Sequence, residues 1–179
     1  MADPHAKAFD QLIGNERAIA LLANLLATKR IASAYVFSGP PGVGKFSAAK
    51  IFARGMFCQR QQAPCDMCAS CSATIRGNNP AYIEISKSAD ENIGIDEIRQ
   101  LNEKLSLKLE GNRAIVIDNA HQMTEEAMNA TLKLLEEPPP RTSFVLVTSN
   151  MFRLLPTILS RCQLIRFFPN SNDEIDRYV

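Results

Sequence analysis

The sequence predicts an α/β fold with a parallel five-stranded sheet sandwiched between helices. Apolar runs that are typical of buried strands alternate with segments of helical periodicity, as expected for a parallel sheet. In addition, the glycine-rich turn Gly39–Lys45 follows the apolar run Ala34–Phe37 and precedes the helical segment Ser47–Ala53. This order of strand, turn and helix is typical of a phosphate-binding loop.

Helical spacing and capping residues predict the principal helices. Asn15 can cap a helix over Glu16–Lys29, and apolar residues at helical intervals predict another over Ile95–Leu109. Thr124 can cap a third helix, which ends at Glu136 before a run of prolines. The remaining elements are a short helix at Ile158–Ser160 and strands at Tyr82–Ile85, Arg113–Asp118, Phe144–Thr148 and Gln163–Phe167.

Composition favours a packed globular domain. The 179 residues are 46% apolar and 22% charged, and the net charge of +1 argues against a general binder of polyanions. No apolar run approaches the length of a membrane span, and residues 1–5 lack the character of a signal peptide, so we expect a cytoplasmic protein without membrane partners. In a reducing compartment, the five cysteines favour metal binding over disulfides.

The glycine-rich turn suits phosphate but departs from the usual pattern at one position. Its glycines allow the backbone to curl with N–H groups pointing inward, and Lys45 can reach the outer phosphates. The next position normally supplies a Ser or Thr hydroxyl to Mg²⁺, whereas here it is Phe46. We therefore expect weak binding of ATP or ADP with little dependence on Mg²⁺; a plain turn rich in Gly and Pro is the alternative. The candidate nucleotide-binding residues are Gly39, Gly42, Val43, Gly44, Lys45, Phe46 and Ser47.

A second departure follows the predicted third strand. Asp118 ends that strand, where a carboxylate can hold Mg²⁺ or its water shell; the alternative is that it only caps the following turn. Active ATPases of this type usually have Glu at the next position, whereas here it is Asn119, whose amide cannot take a proton from water. Phe46 and Asn119 together predict weak or absent ATPase activity. His121 fits a structural role better than a catalytic one.

Four cysteines form a compact motif, Cys-x6-Cys-x2-Cys-x2-Cys, in a polar segment that interrupts the α/β alternation. Their thiolates can surround one tetrahedral Zn²⁺, and because no ligand position remains open the metal is expected to be structural. Four reduced thiols and an iron–sulfur cluster are the alternatives, although the Cys-Pro that ends ferredoxin motifs is absent. The candidate metal ligands are Cys58, Cys65, Cys68 and Cys71, whereas Cys162 stands apart and is expected to be packed.

Arg161 lies between the short helix and the last predicted strand. An isolated arginine is most often a solvated surface group. At the end of a helix in a nucleotide-binding fold, however, it can project into the phosphate site of a neighbouring subunit and stabilise developing charge. Both interpretations remain open on the residues alone.

Several of these features together resemble the AAA+ subunits of bacterial clamp loaders. The residues that carry the resemblance are Gly39–Lys45, the four-cysteine insertion, Leu134–Pro138 and Thr157–Cys162. It extends from about Phe9 to Phe168. The first gap between cysteines is shorter than is usual in the family, which affects the expected loop shape more than the metal. Within this family, the departures from the ATPase pattern at Phe46 and Asn119 resemble those of the delta-prime type of DNA polymerase III subunit. The gamma/tau motor type is the second choice.

The resemblance implies an architecture for the chain. Residues 1–170 would form the AAA+ nucleotide-binding domain with a zinc module at 58–71, and residues 171–179 would begin a truncated helical lid domain. Within Thr148–Asn150, counting back from Ser160 favours Ser149 as the polar sensor residue. The segment Phe9–Asn15 would contact adenine.

The resemblance also implies a function. The delta-prime type is a rigid, non-motor stator in a hetero-pentameric ring with gamma/tau and delta subunits. It would donate Arg161 in trans to an adjacent ATP site and help to load the sliding clamp onto primed DNA. Two alternatives remain: a motor ATPase in which water or Ser47 replaces the missing hydroxyl, and a zinc-ribbon nucleic-acid binder. The zinc-ribbon alternative is the weaker, because the cysteine loop lacks aromatic and dense basic residues.

Overall fold

The computed structural model describes residues 7–88, 90–107 and 109–170. The expected start of a lid domain at 171–179 lies outside the described residues. The helices are α1 Glu16–Thr28, α2 Lys45–Met56, α3 Ala69–Ile75, α4 Ile95–Ser106, α5 Glu125–Glu136 and α6 Pro156–Leu159. The strands are β1 Ala34–Ser38, β2 Tyr82–Ile85, β3 Arg113–Ile117, β4 Thr142–Thr148 and β5 Gln163–Arg166, and 3-10 turns lie at Lys7–Phe9, Ala120–Gln122 and Met151–Arg153.

The five strands form one parallel sheet in the order β2-β3-β4-β1-β5, which confirms the predicted fold class. The strand order changes direction at β1: three strands lie on one side of it and β5 lies on the other. In open α/β sheets, ligand sites lie at the carboxyl ends of the strands where this change occurs. The topology therefore places the segment after β1 at the expected site.

Each face of the sheet has its own buried core. Alternate side chains of a strand point to opposite faces, so Tyr35 and Phe37 join α1 and α2 in one core, whereas Val36 joins α4, α5 and α6 in the other. Two aromatic contacts occupy the centre of the first core. Phe52 of α2 lies edge-on to Tyr35 with 5.2 Å between ring centroids, and Phe167 lies 5.5 Å from Phe37.

Asn15 does not cap α1 as predicted. It has a φ of 56° and its side chain makes no capping hydrogen bond. Its amide instead donates to the Phe168 carbonyl at 3.1 Å, and its side-chain oxygen accepts from the Phe168 N–H at 2.6 Å. Asn15 thus ties the start of α1 to the chain that leaves β5, a long-range contact that takes priority over the local cap.

Helix α4 is shorter than predicted and ends at Ser106 rather than Leu109. The Arg113 guanidinium, which is buried, donates to the carbonyl oxygens of Leu105 and Leu107. These carbonyl oxygens therefore accept hydrogen bonds from a side chain outside the helix, and Leu107 adopts an extended conformation.

The other predicted elements are present, with small shifts at their ends. Thr124 caps α5 by accepting the Ala127 N–H at 3.2 Å, as predicted. Helix α3, which begins in the cysteine-rich segment and extends beyond it, was not predicted. None of the helices among the described residues is long and apolar enough to cross a membrane.

We predict that Arg113→Met lowers the free energy of unfolding by about 1–3 kcal/mol, because it leaves the carbonyls at the end of α4 without their donor. Urea unfolding followed by circular dichroism measures the change. The matched control is Arg99→Met, since Arg99 is exposed and its ion pair among the described residues is with Asp96 at 3.0 Å; its effect should stay within about 0.5 kcal/mol. Equal effects of the two substitutions would contradict the capping role of Arg113.

Candidate functional site

A pocket of about 520 Å³ opens at the carboxyl ends of β1, β3 and β4. Lys45 enters it from the start of α2, Asp118 from the end of β3, and Ser149 from the end of β4. Parallel pairing of these strands brings together residues that are far apart in sequence. The pocket also contains Pro41, Gly42, Gly44, Phe46, Ser47, Asn119, His121, Gln122 and Val147.

Two glycines fix the course of the loop after β1. A Cβ atom at Gly39 would lie 2.3 Å from the Phe167 carbonyl oxygen, so the loop can approach the end of β5 only without a side chain. Gly44, directly before α2, has a φ of 82°, which favours glycine. Val43 is buried in the core on the α1 and α2 face, which holds the tip of the loop down. Gly42 also has a positive φ.

Lys45 is buried at the start of α2 and folds back over the loop. Its amino group donates to the Pro40 carbonyl at 2.5 Å, and only 6% of the residue is exposed. Burial lowers the pKa of Lys45, while the Asp118 carboxylate acts in the opposite direction. The loop therefore encloses a cation beside a helix N-terminus, an arrangement that suits phosphate oxygens.

Phe46 presents a ring to the pocket where a hydroxyl would be needed to bind Mg²⁺. The ring is half-buried against the core, and the Lys50 amino group lies 4.8 Å from its centroid. Ser47, the next residue, also lines the pocket and is exposed.

Asp118 is half-buried at the pocket floor. Its N–H donates to the Ile85 carbonyl at 2.8 Å, which fixes the end of β3 against β2. Burial raises the pKa of Asp118, whereas the Asn119 N–H and the Lys45 charge lower it. Asn119 has a φ of 49° and stands at the N-cap position of the following 3-10 turn without a side-chain cap. Its amide lies 3.5 Å from the Asp118 carboxylate.

His121 and Ser149 form a contact that sequence reasoning missed. The His121 Nε2 atom lies 3.2 Å from the Ser149 Oγ atom, and both residues line the pocket. Burial, and secondarily the charge of Arg153, lower the pKa of His121, which favours the neutral imidazole. The available signal was that the two residues follow strands that become neighbours in the sheet.

The four predicted metal ligands come together. Their sulfur atoms all lie within 4.8 Å of one another, close to the roughly 3.8 Å edge of a Zn–S tetrahedron. The Cys68 N–H points at the Cys65 sulfur at 3.4 Å, and the Cys71 N–H points at the Cys68 sulfur at 3.5 Å. Such donors stabilise thiolates, so the residues present fit a metal ion.

The pKa values of these thiols differ from one another. Desolvation opposes ionisation of Cys68, but N–H donors from Gln59 and Cys71 outweigh it and lower the pKa of Cys68 to about 6. Burial raises the pKa of Cys71 to about 12. Cys162 lies apart, packed against the core on the α4 and α5 face, where burial raises its pKa to about 12.

The cysteine-rich segment is fixed to the domain through α2. The Arg54 guanidinium contacts both carboxylate oxygens of Asp66, at 2.8 Å and 3.2 Å. Cys68 caps α3 by accepting the Cys71 N–H, so one of the four clustered cysteines also starts the unpredicted helix. This local geometry holds the segment against the core.

Arg161 is not part of the pocket. It precedes β5, whose first residue pairs with Tyr35 near the amino end of β1, and so lies at the opposite end of the sheet from Lys45. Its guanidinium pairs with the Glu136 carboxylate at 2.8 Å and donates to the Thr157 carbonyl at 3.0 Å. From this position Arg161 cannot serve its own pocket.

The loop segment before α1 lies beside the pocket. Phe9 is buried, and Leu12 approaches the position of Gly44, with 3.7 Å between its Cδ2 atom and a Cβ built there. The segment predicted to contact adenine, Phe9–Asn15, is therefore adjacent to the phosphate-binding loop.

Comparison with known proteins agrees with this geometry. The family described as "DNA polymerase III, delta subunit" matches residues 14–171. The tau subunit of DNA polymerase III from Bacillus subtilis is 39% identical over 163 residues, covering 89% of this chain and 29% of that protein. The delta' subunit from the same organism is 38% identical over 156 residues, covering 86% of this chain and 47% of that protein.

The chain thus spans between about a quarter and a half of the length of these relatives. Among solved structures, a DNA polymerase III gamma subunit-related protein from Thermotoga maritima is similar with a TM-score of 0.56 at 24% identity, covering 87% of this chain and 48% of that one. The Thermotoga maritima RuvB branch migration motor is similar with a TM-score of 0.64 at 17% identity, covering 97% of this chain and 52% of that one. These likenesses confirm the fold. The family match over residues 14–171 shows that the chain belongs to the DNA polymerase III delta subunit family of AAA+ clamp-loader subunits.

Proposed function

We propose that this chain is part of a non-motor stator subunit of the DNA polymerase III clamp loader. In this role it helps the ATP-driven loading of the sliding clamp onto primed DNA. One observation carries the proposal: the chain's own nucleotide pocket lacks two catalytic groups, while Arg161 lies exposed at the other end of the sheet. Arg161 would then contribute to catalysis at the ATP site of a neighbouring subunit.

Two positions in the pocket argue against hydrolysis by the chain itself. Phe46 has no hydroxyl for Mg²⁺, and Asn119 can hold a water but cannot take its proton. Lys45 and the inward-facing loop remain suited to phosphate. The pocket therefore supports nucleotide binding with weak or absent turnover, in which Asp118 and Ser149 contact the nucleotide or its water shell.

The partners follow from the family. The relatives named tau, gamma/tau and delta' are all subunits of DNA polymerase III, and we infer a hetero-pentameric ring with gamma/tau and delta subunits. A gamma/tau-type motor is the second candidate, and one observation favours it: Ser47 lines the pocket beside Phe46 and offers a hydroxyl one residue later.

We predict weak ATP binding with little Mg²⁺ dependence and negligible turnover, because the loss of general-base help costs about 10²–10⁴-fold in rate. Calorimetry with and without Mg²⁺, together with a steady-state phosphate-release assay, measures both properties. Phe46→Thr should introduce Mg²⁺-dependent affinity, and Lys45→Ala should abolish binding. Rapid turnover that Lys45→Ala removes would favour the motor candidate instead.

We predict one equivalent of Zn²⁺ per chain, held by Cys58, Cys65, Cys68 and Cys71, because four clustered thiolates complete a tetrahedron. Cys68→Ser should lower the zinc content and speed hydrogen exchange in residues 58–77, with exchange in the sheet unchanged. Cys162→Ser is the matched control and should retain the metal. Iron, or under half an equivalent of zinc in reduced protein, would contradict this assignment.

We predict that Arg161→Ala reduces DNA- and clamp-stimulated ATP hydrolysis by a reconstituted ring without preventing its assembly. An arginine finger contributes about 10³–10⁵-fold at its own site, and the loss should be smaller in a ring with several sites. Arg161→Lys should rescue poorly, because lysine lacks the planar fork.

Arg99→Ala is the matched control for this experiment, since Arg99 is also exposed and paired with a carboxylate on its own chain. Normal clamp loading by a ring that carries Arg161→Ala would show that Arg161 is an ordinary surface residue. In that case the trans role would be wrong, whatever the nucleotide affinity of the isolated chain.

A further inference from the structure

A second and larger cavity, of about 1030 Å³, opens at the amino end of the sheet. Ser33 before β1, Asn112 before β3 and Thr142 at the start of β4 all line it. It therefore lies at the opposite end of the sheet from the nucleotide pocket. Its volume is at the upper limit of about 300–1,000 Å³ that is typical of small-molecule sites, so it suits an extended ligand. We call it the amino-end groove.

The rim of the amino-end groove is positively charged. Lys29, Arg60 and Arg141 line it and are exposed, and none of them forms an ion pair with another residue in the described ranges. No described residue of the lining is acidic. Three cations without local partners favour an anionic ligand, and their attraction is strongest at low salt.

The floor of the groove is aliphatic. Leu26, Ile31, Met56 and Ala63 contribute apolar surface, and Pro138–Pro140 form a wall. None of the described lining residues is aromatic. Single-stranded nucleic acid is normally held by bases that stack on aromatic rings, which this groove does not offer. A ligand with apolar side chains between acidic ones would fit both the apolar floor and the cationic rim.

The groove is preformed. Its outer wall belongs to the cysteine-rich segment, which the two contacts between Arg54 and Asp66 hold against α2. On the inner side, the Asn112 amide donates to the Met56 carbonyl at 2.8 Å and joins the end of α2 to the start of β3. A rigid groove loses little conformational entropy when an extended segment binds.

From this rim, floor and rigidity we propose that the amino-end groove binds an extended acidic peptide segment of another protein, with apolar side chains interspersed among its carboxylates. The carboxylates contact Lys29, Arg60 and Arg141, and the apolar side chains lie on the floor. This binding does not use the chain's own nucleotide pocket, because the two sites occupy opposite ends of the sheet.

Fluorescence anisotropy tests the proposal with a fluorescein-labelled peptide in which Glu alternates with Leu. Two control peptides carry Lys in place of Glu, or Ser in place of Leu, and labelled oligothymidine tests the nucleic-acid alternative. The groove variant combines Arg60→Gln with Arg141→Asn; asparagine suits the φ of 57° at that position. The matched variant, Arg17→Gln with Arg30→Asn, removes the same charge from exposed residues outside the groove.

We expect saturable binding of the Glu-Leu peptide, weaker by about five- to tenfold in the groove variant and within about twofold of the original in the matched variant. Both control peptides should bind more weakly, and added salt should reduce affinity. Equal losses in the two variants, or no saturable binding of the Glu-Leu peptide, would overturn the proposal. So would oligothymidine binding that only the groove variant loses, without peptide binding.

Discussion

The parallel pairing of β1 between β4 and β5 is the constraint on which both ends of the sheet depend. In this register Ser38 lies opposite Thr148 on one side and Arg166 on the other, so the chain after β1 must turn directly between two strand ends. Gly39 makes that turn because the Phe167 carbonyl leaves no room for a Cβ atom. The same pairing gathers the nucleotide-pocket residues at one end and the amino-end groove at the other.

The two ends of the sheet carry different charged groups. At the carboxyl end, Lys45 and Asp118 share a partly buried pocket in which each modifies the pKa of the other. At the amino end, Arg161 is held by Glu136 on the surface. A phosphate-binding type of loop at one end and an exposed cation at the other agree with the proposed ring, in which a heterologous interface joins unlike ends. The exposed ion pair costs little to break, because solvent screens it.

Local sequence accounted for most elements and for most of the site. Apolar runs and proline or threonine boundaries predicted every strand and the ends of α5. Two errors arose where a side-chain contact formed in the folded domain competed with a local rule. The Asn15 side chain forms two hydrogen bonds with the Phe168 backbone instead of capping α1. Helix α4 ends early because Arg113 donates to its last carbonyl oxygens. Phe168 is 153 residues from Asn15, so no local window contains it. Arg113 is only six and eight residues from Leu107 and Leu105, but its place in β3 does not by itself show that its side chain is buried against the end of α4.

The sequence by itself determined the chemistry: the phosphate-binding loop, the replacement of a hydroxyl by Phe46 and of a carboxylate by Asn119, and the four clustered thiols. These are identities and short spacings, which a local segment specifies completely. Only the tertiary structure decided that His121 meets Ser149, that Arg161 lies far from its own pocket, and that Lys29, Arg60 and Arg141 surround one groove. Such contacts depend on strand order and register, which arise from packing of the whole domain rather than from any one segment.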